Sequence, residues 1–378
     1  MKRIITLIIV ISISTSVFSL SALADRPSVS AQSAILYCAD TGDVLYEHFA
    51  DEHRLIASTT KIMTAIVVIE NCDMDEKVKI KPEWCCVEGS SMYLEPEKSY
   101  TVRELLTGMM LASGNDAATA LACYVSGDEL SFSGKMNAKA KALGLDNSSF
   151  TNPHGLDGKE HYSTARDLAH LASYCMENED FRSIVSRRSA TIGDNTFYNH
   201  NRLLSEYEGC IGVKTGYTMA AGRTLVSCAE RNGMRLICVT LNAPDDWEDH
   251  KKLLDYGFEN YTVNTVSAET FSLVLPVVSA AKNSAIAVPA NEIRFLTSAD
   301  DSVNIQLQAP RVIFAGGIKG EKIGKIQVFV NGELEAEENL VYTENVPVDD
   351  SQRLSRWEQI LRVLNIGIKP YYIADGKI

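Results

Sequence analysis

Two side chains near the start of the chain could together carry out nucleophilic catalysis. Ser58 and Lys61 are three residues apart and lead into the apolar run 62–69. Residues i and i+3 share one face of a helix, so this hydroxyl and this amine can come within hydrogen-bond distance. Burial among apolar neighbours lowers the pKa of an amine, which can then accept the serine proton. The pair predicts a serine nucleophile with a lysine base, although Ser58 alone would be an ordinary helix N-cap.

A second motif, at residues 113–115, offers polar groups on a tight turn. Ser113 supplies a hydroxyl that could relay a proton to a leaving group. Asn115 supplies an amide that could hold Lys61 or a substrate carbonyl. Such a Ser-Gly-Asn sequence is common in loops, so by itself it indicates little.

A third motif, at residues 214–216, suits the binding of an anionic group on a strand. Lys214 provides a cation and Thr215 a hydroxyl, and both suit a substrate carboxylate. Gly216 has no side chain, so we expect it to let the substrate approach the strand backbone closely. Alone, this motif is also weak.

The three motifs in this order are far more specific than any one of them. They fall where the sequence predicts a helix start, an interhelical turn and a strand, which is the set found in β-lactamases and penicillin-binding proteins. The chain as a whole resembles the low-molecular-weight penicillin-binding proteins that are D-alanyl-D-alanine carboxypeptidases. The segments that carry this resemblance are residues 57–64, 111–117, 151–157, 163–168 and 212–218.

The resemblance implies a role for each group. Ser58 would attack the carbonyl between two terminal D-alanines of a peptidoglycan stem peptide, and Lys61 would take its proton. The backbone N–H groups of Ser58 and Tyr217 would form the oxyanion hole. Ser113 and Asn115 would assist, and water would then hydrolyse the acyl-enzyme. β-Lactam antibiotics such as penicillins would acylate the same serine, and neither a cofactor nor a metal is implied.

The substrate carboxylate is the point at which the chain departs from this family. By resemblance, Lys214 and Thr215 bind that carboxylate. Relatives often carry a further arginine shortly after the second strand of the late hairpin, but residues 243–250 contain none. We therefore expect recognition to rely more on Lys214 and Thr215, or the enzyme to prefer another end group.

Three rival functions remain open at this level. A serine β-lactamase shares the nucleophile and the lysines, but a class A enzyme also needs a glutamate above a deacylating water. No Glu-x-x-Leu-Asn pattern lies between Asn115 and Lys214. A non-catalytic wall-binding protein on the same fold is a second rival, although every chemical position is filled. A penicillin sensor that deacylates slowly is the third.

The elements around these motifs predict an α+β fold. A hairpin is expected around residues 40–43, and a second one over residues 223–241 around the Asn232-Gly233 turn. Between them, helices are expected over 58–70, after 101, after 115, over 136–143 and over 165–176, with a closing helix over 247–258. The early and late strands would pair in one antiparallel sheet. This is the layout of a penicillin-binding/β-lactamase-like transpeptidase domain.

The remaining sequence divides into three further parts. Residues 1–24 have a basic start, an apolar stretch and an Ala-x-Ala site, which predicts a secretory signal peptide. The catalytic domain would then span 25–262. Short apolar runs separated by Gly, Asn and Asp predict a small mostly-β domain over 263–347, and residues 348–378 would be a linker and an amphipathic helix.

That last helix suggests where the protein works. Leu354, Trp357, Leu361 and Leu364 fall on one face, edged by arginines, as in helices that lie in a membrane interface. The alternative is a helix packed on the second domain. We expect an exported protein attached peripherally to the outer face of the cytoplasmic membrane, next to the cell wall.

The amino-acid composition argues against nucleic acid, disulfide bonds and a zinc site. The net charge of −13 argues against nucleic acid, whose phosphates need clustered lysine and arginine. Nine cysteines without a C-x-x-C spacing, several of them in apolar runs, indicate buried thiols rather than disulfides. The seven scattered histidines do not suggest a zinc site. The sequence specifies no oligomeric state.

Overall fold

A computed structural model describes residues 26–278, 280, 282–348 and 371–373 of the chain. The signal peptide expected over 1–24 and the apolar face expected over 354–364 lie outside the described residues. Among the helices that are described, none combines the length and the apolar character needed to cross a membrane.

Between residues 26 and 260, the described first part of the chain forms nine strands and eight α-helices. The strands are β1 (Ser33–Cys38), β2 (Val44–His48), β3 (Lys77–Lys79), β4 (Ser99–Thr101), β5 (Ser189–Ile192), β6 (Asn195–Tyr198), β7 (Cys210–Thr218), β8 (Gly222–Arg231) and β9 (Met234–Leu241). The helices are α1 (Lys61–Ile69), α2 (Val102–Leu111), α3 (Asn115–Ser126), α4 (Glu129–Ala142), α5 (Ala165–Glu177), α6 (Glu179–Val185), α7 (Leu203–Glu206) and α8 (Asp246–Asn260).

Five of these strands form one antiparallel sheet in the order β2-β1-β9-β8-β7. The earliest strand pairs with the latest, with Ser33 opposite Leu241. Asn232 and Gly233 turn the chain between β8 and β9 with φ of 51° and 77°, the left-handed conformation that a two-residue hairpin turn requires. Both predicted hairpins and their union in one sheet are confirmed.

The helical middle packs on one face of this sheet and contains the largest apolar core. α2 begins with the predicted capping box, in which Thr101 Oγ1 accepts from the backbone N–H of Glu104 and the Glu104 carboxylate accepts from that of Thr101. The helix predicted over 136–143 is longer, because Asp128 caps an N-terminus at Glu129. α8 lies on the other face of the sheet, over a second apolar cluster.

The cysteines are all free thiols, as their apolar context predicts. Cys175, Cys228 and Cys238 are fully buried, and burial raises the pKa of each thiol well above its usual range. These thiols are therefore inert packing groups rather than reactive nucleophiles.

Where the structure describes it, the second part of the chain is almost entirely β-structure, as predicted. Its strands are β10 (Tyr261–Val266), β11 (Ser272–Val278), β12 (Ser284–Pro289), β13 (Ile293–Ser298), β14 (Val303–Gln308), β15 (Ile313–Phe314), β16 (Lys322–Val330), β17 (Glu333–Tyr342) and β18 (Tyr371–Ile373). β10 pairs with β13, and the other strands follow the order β14-β16-β17-β12-β11-β15, with β18 also on β11. The strand β18 differs from the prediction of only a linker and a helix after residue 347.

Candidate active site

The nucleophile candidate lies on a short 3₁₀ turn rather than at the start of the α-helix itself. Residues Ala57–Thr60 form this turn, and α1 continues from Lys61. Ala57 has φ of 47°, which turns the backbone sharply just before Ser58. Thr59 and Thr60 donate their hydroxyl hydrogens to the carbonyls of Ile56 and Ala57, at 2.6 and 2.8 Å. The turn therefore presents a half-buried Ser58 at the edge of the helical core.

Lys61 is fully buried directly behind Ser58. Its Nζ lies 2.9 Å from Ser58 Oγ, 2.7 Å from Asn115 Oδ1 and 2.7 Å from the carbonyl oxygen of His154. Burial holds the pKa of Lys61 well below its usual range, the nearby charge of Lys214 lowers it further, and Asp116 opposes both effects. A neutral Lys61 has a lone pair in position to accept the proton of Ser58.

The second motif turns the chain beside this amine. Ser113 has φ of 60°, and α3 begins two residues later at Asn115. The Asn115 side chain accepts from Lys61 and donates through Nδ2 to the carbonyl of Glu88 at 2.5 Å, so its orientation is fixed from both ends. Ser113 and Asn115 are each 5% exposed, which places their polar atoms in a nearly dry environment.

Asp116, the residue after this motif, organises a wall of the site. Its carboxylate accepts hydrogen bonds from the backbone of Met92 and Leu94 and from the hydroxyl of Ser91. These bonds fix the loop that contains Ser90, and the carbonyl of Ser90 in turn accepts from the N–H of Asn115 at 2.7 Å.

The third motif lies on the edge strand β7, and its members point in different directions. Lys214 is 1% exposed, and its Nζ donates to the carbonyl of Thr215 at 2.9 Å. Burial lowers the pKa of Lys214 to about 7. Because side chains alternate along a strand, Thr215 and Tyr217 face the opposite side of the sheet from Lys214. Tyr217 is largely exposed.

Gly216 also has a role in the packing of the protein itself. A Cβ at this position would collide with Thr224 Oγ1 and would lie 2.9 Å from the backbone nitrogen of Ser58. The glycine thus lets β7 pack directly against the 3₁₀ turn of the nucleophile. The close approach seen at this point is between two parts of the protein.

A cavity of about 300 Å³ opens in front of Ser58. Of the residues predicted from sequence, five line it, namely Ser58, Ser113, Thr215, Gly216 and Tyr217. Lys61, Asn115 and Lys214 lie behind this surface. The structure therefore brings all eight predicted residues to one place, in two layers.

Several members of the site are not predicted from the sequence. The backbone carbonyl of His154 holds Lys61, and Gly155 allows this approach because a Cβ there would collide with the carbonyl of Ala57. The sequence signal for this contact is the segment 151–157, which belongs to the resemblance to the penicillin-binding proteins. The other members missed are cavity-lining residues with no motif of their own: Ser90, His200, Arg223, Asp246 and Trp247.

Within the described ranges, no three His, Cys, Asp or Glu side chains are grouped so that they could hold a metal ion. The chemistry that the site offers is that of a hydroxyl, a buried amine and the groups around them.

Comparison with known proteins gives one consistent result. The family model described as D-alanyl-D-alanine carboxypeptidase, peptidase S11, matches residues 21–245, more than half of the chain. The chain is 35% identical over 369 residues to the D-alanyl-D-alanine carboxypeptidase DacF of Bacillus subtilis (strain 168). The alignment covers 92% of this chain and 95% of the relative.

Solved structures agree with that result. Penicillin binding protein 5 from Haemophilus influenzae is similar with a TM-score of 0.70 and 30% identity, over 85% of this chain and 98% of the other. The Streptomyces K15 DD-transpeptidase is similar with a TM-score of 0.59 and 37% identity, over 62% of this chain and 99% of the other. The second similarity spans less of the chain than the first.

Proposed function

Since the chain belongs to the D-alanyl-D-alanine carboxypeptidase family of serine peptidases, peptidase S11, we propose that Ser58 is the nucleophile with which it removes a terminal D-alanine. The fold is that of the penicillin-binding proteins, with an α+β catalytic part followed by a smaller mostly-β part. The activity is that of a serine-type D-Ala-D-Ala carboxypeptidase, and its substrate is a peptidoglycan stem peptide. The assignment of roles to individual residues is our proposal.

Acylation begins with proton transfer inside the buried pair. Neutral Lys61 accepts the proton of Ser58, whose Oγ forms a bond to the carbonyl carbon between the two D-alanines. The developing oxyanion accepts hydrogen bonds from the backbone N–H groups of Ser58 and Tyr217. The position of Gly216 against the Ser58 nitrogen supports this arrangement, because it brings β7 alongside the 3₁₀ turn.

Collapse of the tetrahedral intermediate then releases the terminal D-alanine. The C–N bond breaks, and the departing amine takes a proton that passes from Lys61 through the hydroxyl of Ser113. Asn115 keeps Lys61 in place during this step, since it is itself fixed by Glu88. Water activated by Lys61 hydrolyses the acyl-enzyme and restores Ser58.

One observation carries this proposal, namely the three contacts of Lys61. A buried amine within 2.9 Å of a serine hydroxyl, and held by an amide oxygen and a backbone carbonyl, is positioned for proton transfer. A lysine placed there only for stability would be unfavourable, because a buried cation without a carboxylate partner costs free energy. The arrangement is explained if the amine works in its neutral form.

The test uses the purified chain and two measurements. Wild-type protein should release D-alanine from a peptide that ends in D-Ala-D-Ala, and a fluorescent penicillin should label Ser58. Ser58→Ala should lose both activities by at least about a thousandfold and should stay folded. Labelling of Ser58→Ala, with the label mapped to another residue, would overturn the assignment of the nucleophile.

The similarity to the Streptomyces K15 DD-transpeptidase favours a second candidate reaction on the same acyl-enzyme. There an amine, rather than water, would attack the acyl group. Wild-type protein that is acylated at Ser58 but releases no D-alanine until an acceptor amine is added would favour transfer over hydrolysis. Slow release with no effect of the amine would indicate a penicillin sensor.

We also propose a domain organisation with a separate function for each part of the chain. Residues 25–262 would be the catalytic domain and residues 263–347 the β-rich domain. This boundary is supported by the change from helix to strand, since α8 ends at Asn260 and β10 begins at Tyr261. Residues 1–24 would direct export, and the apolar face over 354–364 would attach the protein to the outer face of the membrane. The patterning of Leu354, Trp357 and Leu361 supports that attachment.

A further inference from the structure

A guanidinium group lines the cavity that contains Ser58. Arg223 is the second residue of β8 and is directly opposite Tyr217 of β7 in the strand register. Residues opposite each other in an antiparallel pair project from the same face of the sheet. Thr215 and Tyr217 alternate with Lys214 along β7, so Arg223 shares its face with Thr215, and both line the cavity that contains Ser58.

The guanidinium is fixed by two residues that begin α8. Its Nε donates to Asp246 Oδ1 at 2.8 Å, and its central carbon lies 5.6 Å from the centre of the Trp247 ring. The Asp246 side chain is 3% exposed, whereas that of Arg223 is 41% exposed. In the described part of the chain, neither terminal nitrogen of Arg223 donates to a protein acceptor. Its remaining hydrogen-bond donors are therefore available to a ligand.

Lys214 is less well placed to bind an anion. It is 1% exposed, does not line the cavity, and directs its Nζ to the carbonyl of Thr215. An arginine remains charged throughout the physiological range and presents a planar pair of donors that matches a carboxylate. The cavity thus has one exposed cation with this geometry among the residues that the structure describes as lining it.

We propose that Arg223, held by Asp246 and Trp247, binds the terminal carboxylate of the substrate together with the hydroxyl of Thr215. This inference rests on the proposed function, since it supplies the group that selects a free carboxylate at the end of the peptide. Arg223 is thereby a specificity-determining residue. Residues 243–250 contain no arginine or lysine. This segment contributes through Asp246 and Trp247, which orient the guanidinium of Arg223.

The test compares ligands that differ only in this charge. The first pair is an acyl-D-Ala-D-Ala peptide and its C-terminal amide; the second is benzylpenicillin and its methyl ester. Arg223→Gln should lower kcat/KM for the free acid, and the acylation rate by benzylpenicillin, by about ten- to a hundredfold. The amide and the ester should change by less than about threefold. Arg223→Lys should give an intermediate loss, because it keeps the charge but not the paired donors.

Arg202→Gln is the matched control. Arg202 also lies over the Trp247 ring, at 5.7 Å, but it does not line the cavity of Ser58. This variant should keep the wild-type preference for the charged ligands. Thermal unfolding and circular dichroism of each variant check that the fold is retained.

The possible outcomes separate the two proposals. Loss of the preference for charged ligands in Arg223→Gln alone supports the role of Arg223. A preference that persists in Arg223→Gln, or an equal loss on charged and neutral ligands, overturns it while the proposed function stands. Wild-type protein that no ligand acylates at Ser58 overturns the proposed function, and the role of Arg223 with it. Acylation without release of D-alanine still tests Arg223 through the penicillin pair.

Discussion

The buried amine of Lys61 has a second buried lysine, Lys214, close enough for its charge to lower the pKa of Lys61. Lys61 has no exposed surface and Lys214 is 1% exposed, and the charge of Lys214 is the second largest cause that lowers the pKa of Lys61. The protein thus contains an amine beside the nucleophile whose pKa is lowered by burial and by a neighbouring cation. This relationship has measurable consequences for both activity and stability.

The first prediction concerns the pH profile of acylation. Asn115→Asp places a negative charge where the amide oxygen now lies, 2.7 Å from Lys61 Nζ. A carboxylate stabilises the protonated amine, so the pKa of Lys61 should rise and the rate of penicillin acylation should require a more alkaline pH. The measurement is the second-order acylation rate between pH 6 and 10.

Asn71→Asp is the control for this experiment, because it adds the same charge at the end of α1 through a side chain that bonds only to the carbonyl of Val67. Its profile should match that of the wild type. A profile of Asn115→Asp that is lower at every pH but not displaced would mean that Lys61 is not the group that titrates.

The second prediction concerns stability and pH. Burial lowers the pKa of Lys214 to about 7 in the folded state, whereas an unfolded lysine titrates near about 10.4. Between these two pKa values the unfolded chain binds more protons than the folded chain. The contribution of Lys214 to the free energy of unfolding therefore rises with pH. Lys214→Met should therefore be more stable than wild type at pH 7, and this advantage should shrink towards pH 10.

Urea unfolding at several pH values measures this difference. Lys252→Met, which removes an exposed lysine of α8, should show no such trend relative to wild type. An advantage of Lys214→Met that stays constant with pH would show that Lys214 is charged throughout this range in the folded protein.

The third prediction tests the packing of β7 against the 3₁₀ turn. Gly216→Ala introduces a Cβ that meets Thr224 Oγ1 and the Ser58 nitrogen, so one of the two backbones must move. We expect a cost in stability of about 1–3 kcal/mol and a larger loss of acylation, because the shift displaces the nucleophile. Gly134→Ala in α4 is the matched control, since nothing lies within 4 Å of its added Cβ. That variant should gain up to about 1 kcal/mol and keep full activity.

The fourth prediction concerns membrane attachment. Truncation after Asp350 should release the protein from the membrane fraction, but it also removes β18 from the edge of β11. Replacement of Leu354, Trp357 and Leu361 by Gln removes the apolar face and keeps the strand. This triple variant should fail to sediment with anionic phospholipid vesicles, whereas Ser355→Gln with Glu358→Gln should sediment like the wild type. Equal sedimentation of all variants would contradict the attachment.

Much of the fold could be read from local patterns. Thr101 and Glu104 form the predicted capping box because the signal and the structure lie within one turn of helix. The Asn232-Gly233 turn is equally local. The helix α4 begins earlier than predicted, because its buried face already starts at Phe132 and continues through Met136 and Ala140 at intervals of four residues. Asp128 caps its N-terminus.

The site was predicted where its residues lie in motifs and was missed where they do not. Ser58 and Lys61 are close in sequence, so their contact followed from helix geometry. Arg223 and Asp246 are on different elements and meet only because β9 returns the chain to the start of α8. No local pattern encodes such a pair. For the same reason the contact of Lys61 with the carbonyl of His154 could not be predicted from side-chain types.

The pairing of β1 with β9 has a consequence for when the enzyme can become active. Ser33 lies opposite Leu241, and the turn that contains Ser58 packs on β7, so the cleft needs strands that are more than 150 residues away along the chain. Contacts at such separation form slowly, because the ends of a long loop must first be brought together. A nascent chain that carries Ser58 but lacks β9 has the nucleophile without the cleft. Catalysis is thereby delayed until synthesis of this part of the chain is complete.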